Sequence, residues 1–232
     1  MNTQIDHLVV VAHTLAQGVA WCEATLGLTP EPGGKHPLMG THNRLLNISS
    51  PAFPQAYLEI IAIDPDAPPP DRPRWFGIDQ PALQAAVLQA PRLVHAVLRT
   101  RQLEMLRFGL VQLSQDPGQA LAASRDTEQG LLQWRILVRE DGHIGCAGAL
   151  PSLIEWQGQH PADALPDGGL KLRSVAICGL PERVSALLQP QGVELRRHGP
   201  AVKIELQSGR KRVTLSTDDA PPTPAPTLAP SA

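Results

Sequence analysis

The sequence predicts an α+β fold built from repeated βαβββ modules. Three observations lead there. A β-branched apolar run opens the chain and leads into a capped amphipathic helix, the same order of elements returns twice, and proline- or glycine-rich segments separate the copies. Such a unit leaves one sheet face open to water and is not stable alone, so the copies must pack together.

In the first module, residues 1–64, IDHLVVVA at 5–12 reads as a buried strand. Thr14 supplies an N-cap and Gln17 its capping-box partner, Leu15, Val19, Cys22 and Leu26 share one helical face, and Gly27 stops the helix. GGKHPLMGTHN, 33–43, then forms the approach to a second strand and the turn into a third. Its glycines permit tight turns and close backbone approach, while His36, Thr41, His42 and Asn43 bring polar groups to the bend. Two placements suit it: a cavity mouth where these four contact substrate, or a surface hairpin whose polar residues satisfy their own backbone. NRLLNI, 43–48, and AYLEIIAI, 56–63, complete the module as strands.

Residues 65–91 read as a proline-rich linker, DPDAPPPDRPRW at 64–75 excluding helix and sheet. Trp75 and Phe76, following the prolines, either anchor the linker to the core or fold over the barrel as an apolar cover, and Trp134 and Trp156 are core candidates. The second module, 92–157, reads as the strand RLVHAVLRT, the helix TRQLEMLRFG stopped at Gly109, and the strands QWRILVRE and PSLIEWQG. A third, 170–217, has LRSVAICG, a helix begun by Pro181 with Val184, Leu187 and Leu188 inward, then VELRRHG, AVKIELQS and KRVTLS. The tail, 218–232, is short of core-forming residues and predicts disorder.

An apolar content of 42% is adequate for a core, and a net charge of -2 leaves no electrostatic footprint for nucleic acid or an anionic membrane. Arg210, Lys211 and Arg212 read as a solvated strand end. Cys22, Cys146 and Cys178 lie far apart without a CxxC pair, against a disulfide framework or thiolate zinc site. LVVVA at 8–12 is too short for a signal or membrane-spanning segment. The expected setting is cytoplasmic, and the expected partner a small-molecule substrate.

IDHLVVVAHTLAQGVAWCEATLGL, the YLEII strand and the repeated βαβββ order resemble the vicinal oxygen chelate superfamily. GGKHPLMGTHN, YLEIIAID, RWFGID and LPSLIEW resemble its glyoxalase-like domain proteins. The resemblance spans residues 5–157; from 170 to 216 it is one of repeat shape. It implies that two modules form an incomplete barrel around a cavity, with a divalent metal held by side chains from the first and last strands of each.

His7 and His95 stand at corresponding points of the two opening strands, and Glu59 and Glu155 lie in the two closing strands. Alternation puts His7 on the face of Ile5, Val9 and Val11, and Glu59 on that of Tyr57, Ile61 and Ile63, both towards an interior. A buried carboxylate needs a cation, a donor network or a proton. Two imidazoles and two carboxylates, His7, Glu59, His95 and Glu155, would suit Zn, Ni, Co, Mn or Fe(II). Against this stand a hydrogen-bonded core histidine, a solvent-facing strand glutamate, and Arg44 neutralising Glu59; were His95 turned outward, His36 or water would replace it.

The leading functional expectation is a metal-dependent lyase or isomerase of the glyoxalase kind, acting on a small substrate with adjacent oxygens, with Glu155 or Glu59 as base. The alternatives are an extradiol-type dioxygenase, against which the extra carboxylate argues, and a metal-free protein that sequesters a small molecule. Aromatic content of only 3% supplies few stacking groups for the last. The third module either caps the barrel or pairs with its equivalent in a second chain, giving a homodimer.

Overall fold

A computed structural model describes residues 2–127 and 130–218. The predicted disordered tail, apart from Asp218, lies outside the described residues. The first module comprises β1 (Gln4–Val11), α1 (Leu15–Leu26), β2 (Glu31–His36), β3 (Thr41–Asn47) and β4 (Tyr57–Ile63). Thr14 and Gly27 cap α1 as the sequence predicts: the Thr14 hydroxyl accepts the Gln17 N–H, Gln17 answers on the His13 N–H, and Gly27 is left-handed at φ 77°.

The segment read as a plain linker carries a helix, α2 (Pro81–Gln89). The prolines of 64–75 do exclude regular structure, but Pro81 occupies a first-turn position, where its missing N–H goes unused, and PALQAAVLQ continues as helix. The second module has β5 (Arg92–Arg99), α3 (Leu103–Gln112), β6 (Gln119–Thr127), β7 (Gly130–Val138) and β8 (Ser152–Gln157). Gly109 does not stop α3, which runs on three residues. A Cβ there would press on Leu187, so the glycine makes room for the third module's helix.

These eight strands form one curved sheet in the order β2-β3-β4-β1-β5-β8-β7-β6. Within each module the first strand lies parallel to the last, and β1 and β5 join the modules antiparallel, Leu8 opposite Ala96. The edges β2 and β6 approach without pairing: the Arg125 side chain of β6 covers Gly34 of β2. The result is a nearly closed barrel whose inner face carries Val9, Val11, Ile61, Val97, Ile136 and Ile154.

The outer face, with Leu8, Val10, Leu58, Ile60, Ala96 and Leu98, shares one core with α1, α3 and the third module. That module comprises β9 (Leu170–Cys178), α4 (Glu182–Leu188), β10 (Val193–Arg196), β11 (Val202–Ser208) and β12 (Lys211–Ser216), a second sheet ordered β10-β9-β11-β12. The element order repeats but the pairing does not: the strand after the helix lies directly beside and parallel to the first. Leu172, Val175, Ile204 and Leu206 cover the barrel's back, and backbone bonds from Leu172 to Ile48 and from Gln191 to Thr3 tie the sheets together. The third module thus caps the barrel within the chain, one of the two expected arrangements. Among the described residues no helix is long and apolar enough to cross a membrane.

Candidate functional site

The cavity inside the barrel owes its floor to an irregularity in β1. Ile5 pairs with Leu98 and His7 with Val97, so Asp6 is an extra residue, a β-bulge. The bulge breaks the alternation. Ile5 turns to the outer core with Leu8 and Val10, correcting the expected face, while Asp6 and His7 serve the same side. Asp6 is fully buried. Its Oδ1 accepts from His7 Nδ1 at 2.7 Å, and its Oδ2 contacts Trp156 Nε1 at 2.9 Å and His160 Nε2 at 3.0 Å. Burial alone would raise the Asp6 carboxyl, but the His160 and His7 hydrogen bonds outweigh it and hold the group well below the carboxylate range.

With Nδ1 committed to Asp6, the His7 ring presents Nε2 to Glu59 Oε2, 3.6 Å away. In the neutral ring two lone pairs face each other across that gap. A proton, a hydrogen-bond donor or a cation between them would satisfy both. Glu59 is not left to Arg44: its Oε1 accepts the Asn43 side-chain N–H at 2.6 Å.

The paired glycines of GGKHPLMGTHN now have a physical role. A Cβ on Gly33 would overlap the Asn43 side chain, and one on Gly34 would overlap the Arg125 guanidinium. The bare backbone lets the Gly34 N–H reach Asn43 Oδ1 at 2.7 Å. That bond fixes the amide orientation, so the Asn43 NH2 points inward, to Glu59 and, at 3.4 Å, to His36 Nε2. His36 is then the Nδ1–H tautomer, donating to Thr41 Oγ1 at 3.1 Å. Burial pushes the His36 imidazole down to about 4, so it is neutral near pH 7.

The walls are aromatic. Trp75, Phe76, Trp134, Trp156 and Tyr57, five of the chain's eight Phe, Trp and Tyr side chains, line the cavity. Trp75 stacks on Phe76 and meets His36 edge-on, Trp134 packs on Trp156 at 5.4 Å, and Tyr57 stacks on His7 at 4.8 Å. Low overall content hid this concentration.

Of the eight expected site residues, the structure brings His7, Glu59, His36 and Asn43 together around the cavity. Thr41 is buried behind His36 as its hydrogen-bond partner. His42 falls on the opposite face of β3, 3.9 Å from Asp64. His95 faces inward but is spent: its Nε2 accepts the Ser152 N–H at 3.0 Å, and Phe76 packs over the ring. Glu155 points away from the cavity, from the outer side of β8, and pairs with Arg135. The presumed equivalence of Glu59 and Glu155 fails on register. Glu59 lies beside Val9, and the residue beside Val97, which corresponds to Val9 about the Leu8–Ala96 axis, is Ser152.

These placements bear on the expected divalent metal. The first module offers His7 Nε2 and Glu59 Oε2 side by side; the second offers a serine and a histidine whose lone pair is used. His36 Nε2 faces the Asn43 amide. Among the described residues no group of three or more His, Cys, Asp and Glu side chains is set to hold a metal ion. The donor set does not fit a four-ligand shell. Sequence reasoning missed Asp6, Arg125, His160 and the aromatic wall. A carboxylate inside the apolar run IDHLVVVA was the available signal for Asp6.

Two βαβββ modules joined through their first strands and curled around a cavity lined by His7, His36 and Glu59 define a protein of the vicinal oxygen chelate superfamily. The sequence profile of the glyoxalase-like domain matches residues 5–192, and the chain belongs to that family. The crystal structure of a hypothetical protein from Staphylococcus aureus shares the fold, at 13% identity over 92% of this chain and 86% of that one, with a TM-score of 0.53. A variant of Streptomyces coelicolor methylmalonyl-CoA epimerase in complex with 2-nitronate-propionyl-CoA aligns over 68% of this chain and 97% of its own, at 16% identity and TM-score 0.44. The methylmalonyl-CoA epimerase from Mycobacterium tuberculosis aligns over 69% and 91%, at 12% identity and TM-score 0.38. No protein of curated function matches the sequence.

Proposed function

We propose that this protein is a proton-transfer enzyme, a lyase or isomerase acting on a small molecule with an acidic C–H beside a carbonyl or other oxygen function. The Asp6–His7–Glu59 constellation carries the reading. Glu59 Oε1 is held by Asn43, which leaves Oε2 as the oxygen free to take a proton. As the substrate C–H bond breaks, its electron pair becomes the C=C bond of an enol while the carbonyl π pair moves onto the oxygen. A protonated His7, stabilised through Nδ1 by Asp6, donates from Nε2 to that oxygen. Return of the Glu59 proton to a neighbouring carbon, with His7 taking back the proton on oxygen, completes an isomerisation; departure of a substituent with its bonding pair from the carbon next to the C=C, as the oxygen-bound proton returns to His7, completes an elimination.

The divalent-metal form of this reading would rest on His7 and Glu59 alone of its four expected ligands, so the chain's own acid and base carry both proton transfers. The test is C–H exchange in D2O, followed by NMR, across a panel of small 2-oxo and 2-hydroxy compounds. Exchange with at least one, slowed at least about 100-fold in Glu59→Gln, supports the proposal. No exchange with any compound, or an unchanged rate in the variant, defeats it. The aromatic wall favours a second reading, sequestration of a flat molecule, which predicts saturable binding without exchange.

A further inference from the structure

We propose that Arg125 is the substrate-anion residue of this cavity, and that the molecule it selects is a flat, unsaturated or aromatic monocarboxylate. This rests on the cavity being a small-molecule site but not on its chemistry being proton transfer.

Arg125 comes from β6, the far edge of the sheet, and lies between the inner cavity and its outer mouth. Its guanidinium rests on the bare backbone of Gly34. Five donors are carried there, yet Arg125 makes no hydrogen bond or ion pair with the described residues, and its Nε is buried without a partner. Burial lowers the guanidinium, opposed only from a distance by Tyr57 and Glu59. A half-buried guanidinium with its Nε shut in and no counter-ion among the described residues is poorly compensated, and a planar carboxylate is the group whose two oxygens match its fork.

The surroundings narrow the class. Glu59 and Asp6 carry the inner negative charge, both already held by donors. Glu31, Asp126 and Asp163 line the outer mouth without pairing to Arg125, so a second negative charge on the ligand would meet repulsion on either side. One carboxylate is accommodated and a phosphate-bearing polyanion is not. Beyond the guanidinium the walls are Trp75, Phe76, Trp134 and Trp156, whose faces would stack on a flat body once the inner cavity, about 40 Å³, widens to admit it, and the cavity ends at His7 and Glu59, where an oxygen function would lie. Carboxylate, flat body and distal oxygen thus follow the order of the side chains.

The experiment is tryptophan-fluorescence titration with benzoate, its neutral isostere benzamide, and inorganic pyrophosphate. Benzoate is expected to bind saturably and at least about 10-fold more tightly than benzamide, with pyrophosphate weaker than either. Arg125→Gln should erase the benzoate preference while leaving benzamide unchanged, Arg125→Lys should restore part of it, and Gly34→Ala, which displaces the guanidinium, should behave like Arg125→Gln. Equal affinity for benzoate and benzamide, an undiminished benzoate preference in Arg125→Gln, tighter binding of pyrophosphate, or no saturable binding at all would each overturn the proposal. The titration reads binding and not turnover, so it is decided whether or not the cavity exchanges C–H protons, which keeps this result separate from the fate of the proton-transfer reading.

Discussion

His95 accepts the backbone N–H of Ser152 at its Nε2 atom, 3.0 Å away, and this bond takes one half of the barrel out of the site. The lone pair a metal would need is occupied, the ring proton must sit on Nδ1, and Ser152 stands where a second glutamate is required. Two donors remain, His7 and Glu59, too few for a tightly held structural ion. Exhaustive chelation should therefore leave the thermal midpoint within about 1 °C of its starting value, because no ion bound to the folded state is removed. A fall reversed by adding back zinc, nickel or manganese, measured by calorimetry, would contradict this.

Much of the fold is legible in the sequence because its signals are local: Thr14, Gln17 and Gly27 delimit α1, and IDHLVVVA and AYLEIIAI read as buried strands. β6 is not legible. QALAASRDT is small and polar because it forms a half-exposed edge, with no alternation strong enough to mark it. For the site, chemistry was visible residue by residue but pairing was not. His7 and Glu59 converge because their strands are neighbours. The match between Glu59 and Glu155 depended on counting along two strands whose true alignment is displaced, and one bulge at Asp6 reverses the face of Ile5. Register is a property of partner strands, invisible in either taken alone.

Acid should destabilise the protein well before its carboxylates titrate. Burial pushes His36 down to about 4 and His95, also beside His7, to about 3, against 6.5 in an exposed ring. Below 6.5 the unfolded chain takes up protons that the folded rings refuse, so stability present at neutral pH is lost on acidification, by up to about 1.4 kcal/mol per unit for each ring. For His36 the loss runs down to about 4 and for His95 to about 3. Asp6 has the opposite origin but the same sign, and its loss falls below its ordinary value of 3.8, outside this window. Urea midpoints at pH 7 and pH 5 should differ clearly, and His36→Gln and His95→Gln should each narrow the difference. Equal midpoints in the parent protein would refute it.

Asp6→Asn should be among the most damaging isosteric changes in the chain. The carboxylate meets three ring nitrogens, from His7, Trp156 and His160. An amide has one oxygen, so its NH2 faces either the Trp156 and His160 N–H groups or His7 Nδ1, which must then give up its proton and change tautomer, and in both cases His7 loses the charge behind it. A loss on the order of 3 kcal/mol in urea unfolding is expected, together with weakened proton transfer. Stability within about 0.5 kcal/mol of the parent would show that the three contacts are not a cooperative network.

Gly33→Ala tests the link from hairpin to base. A Cβ at this position would overlap the Asn43 side chain and lie 2.6 Å from the Asn43 carbonyl oxygen, so β2 and β3 must separate or the amide must move. Either movement frees the amide that steadies Glu59 Oε1, because its inward orientation depends on the neighbouring Gly34 N–H. Destabilisation of about 1–3 kcal/mol is expected from overpacking against backbone. Strain from a crowded hairpin alone would leave Asn43 irrelevant. In a double-mutant cycle with Asn43→Ala, the combined loss should fall below the sum of the single losses, since removing the amide makes part of the room that alanine needs. Additive losses, measured as urea unfolding free energies, would mean that Gly33 serves the turn and not the Glu59 network.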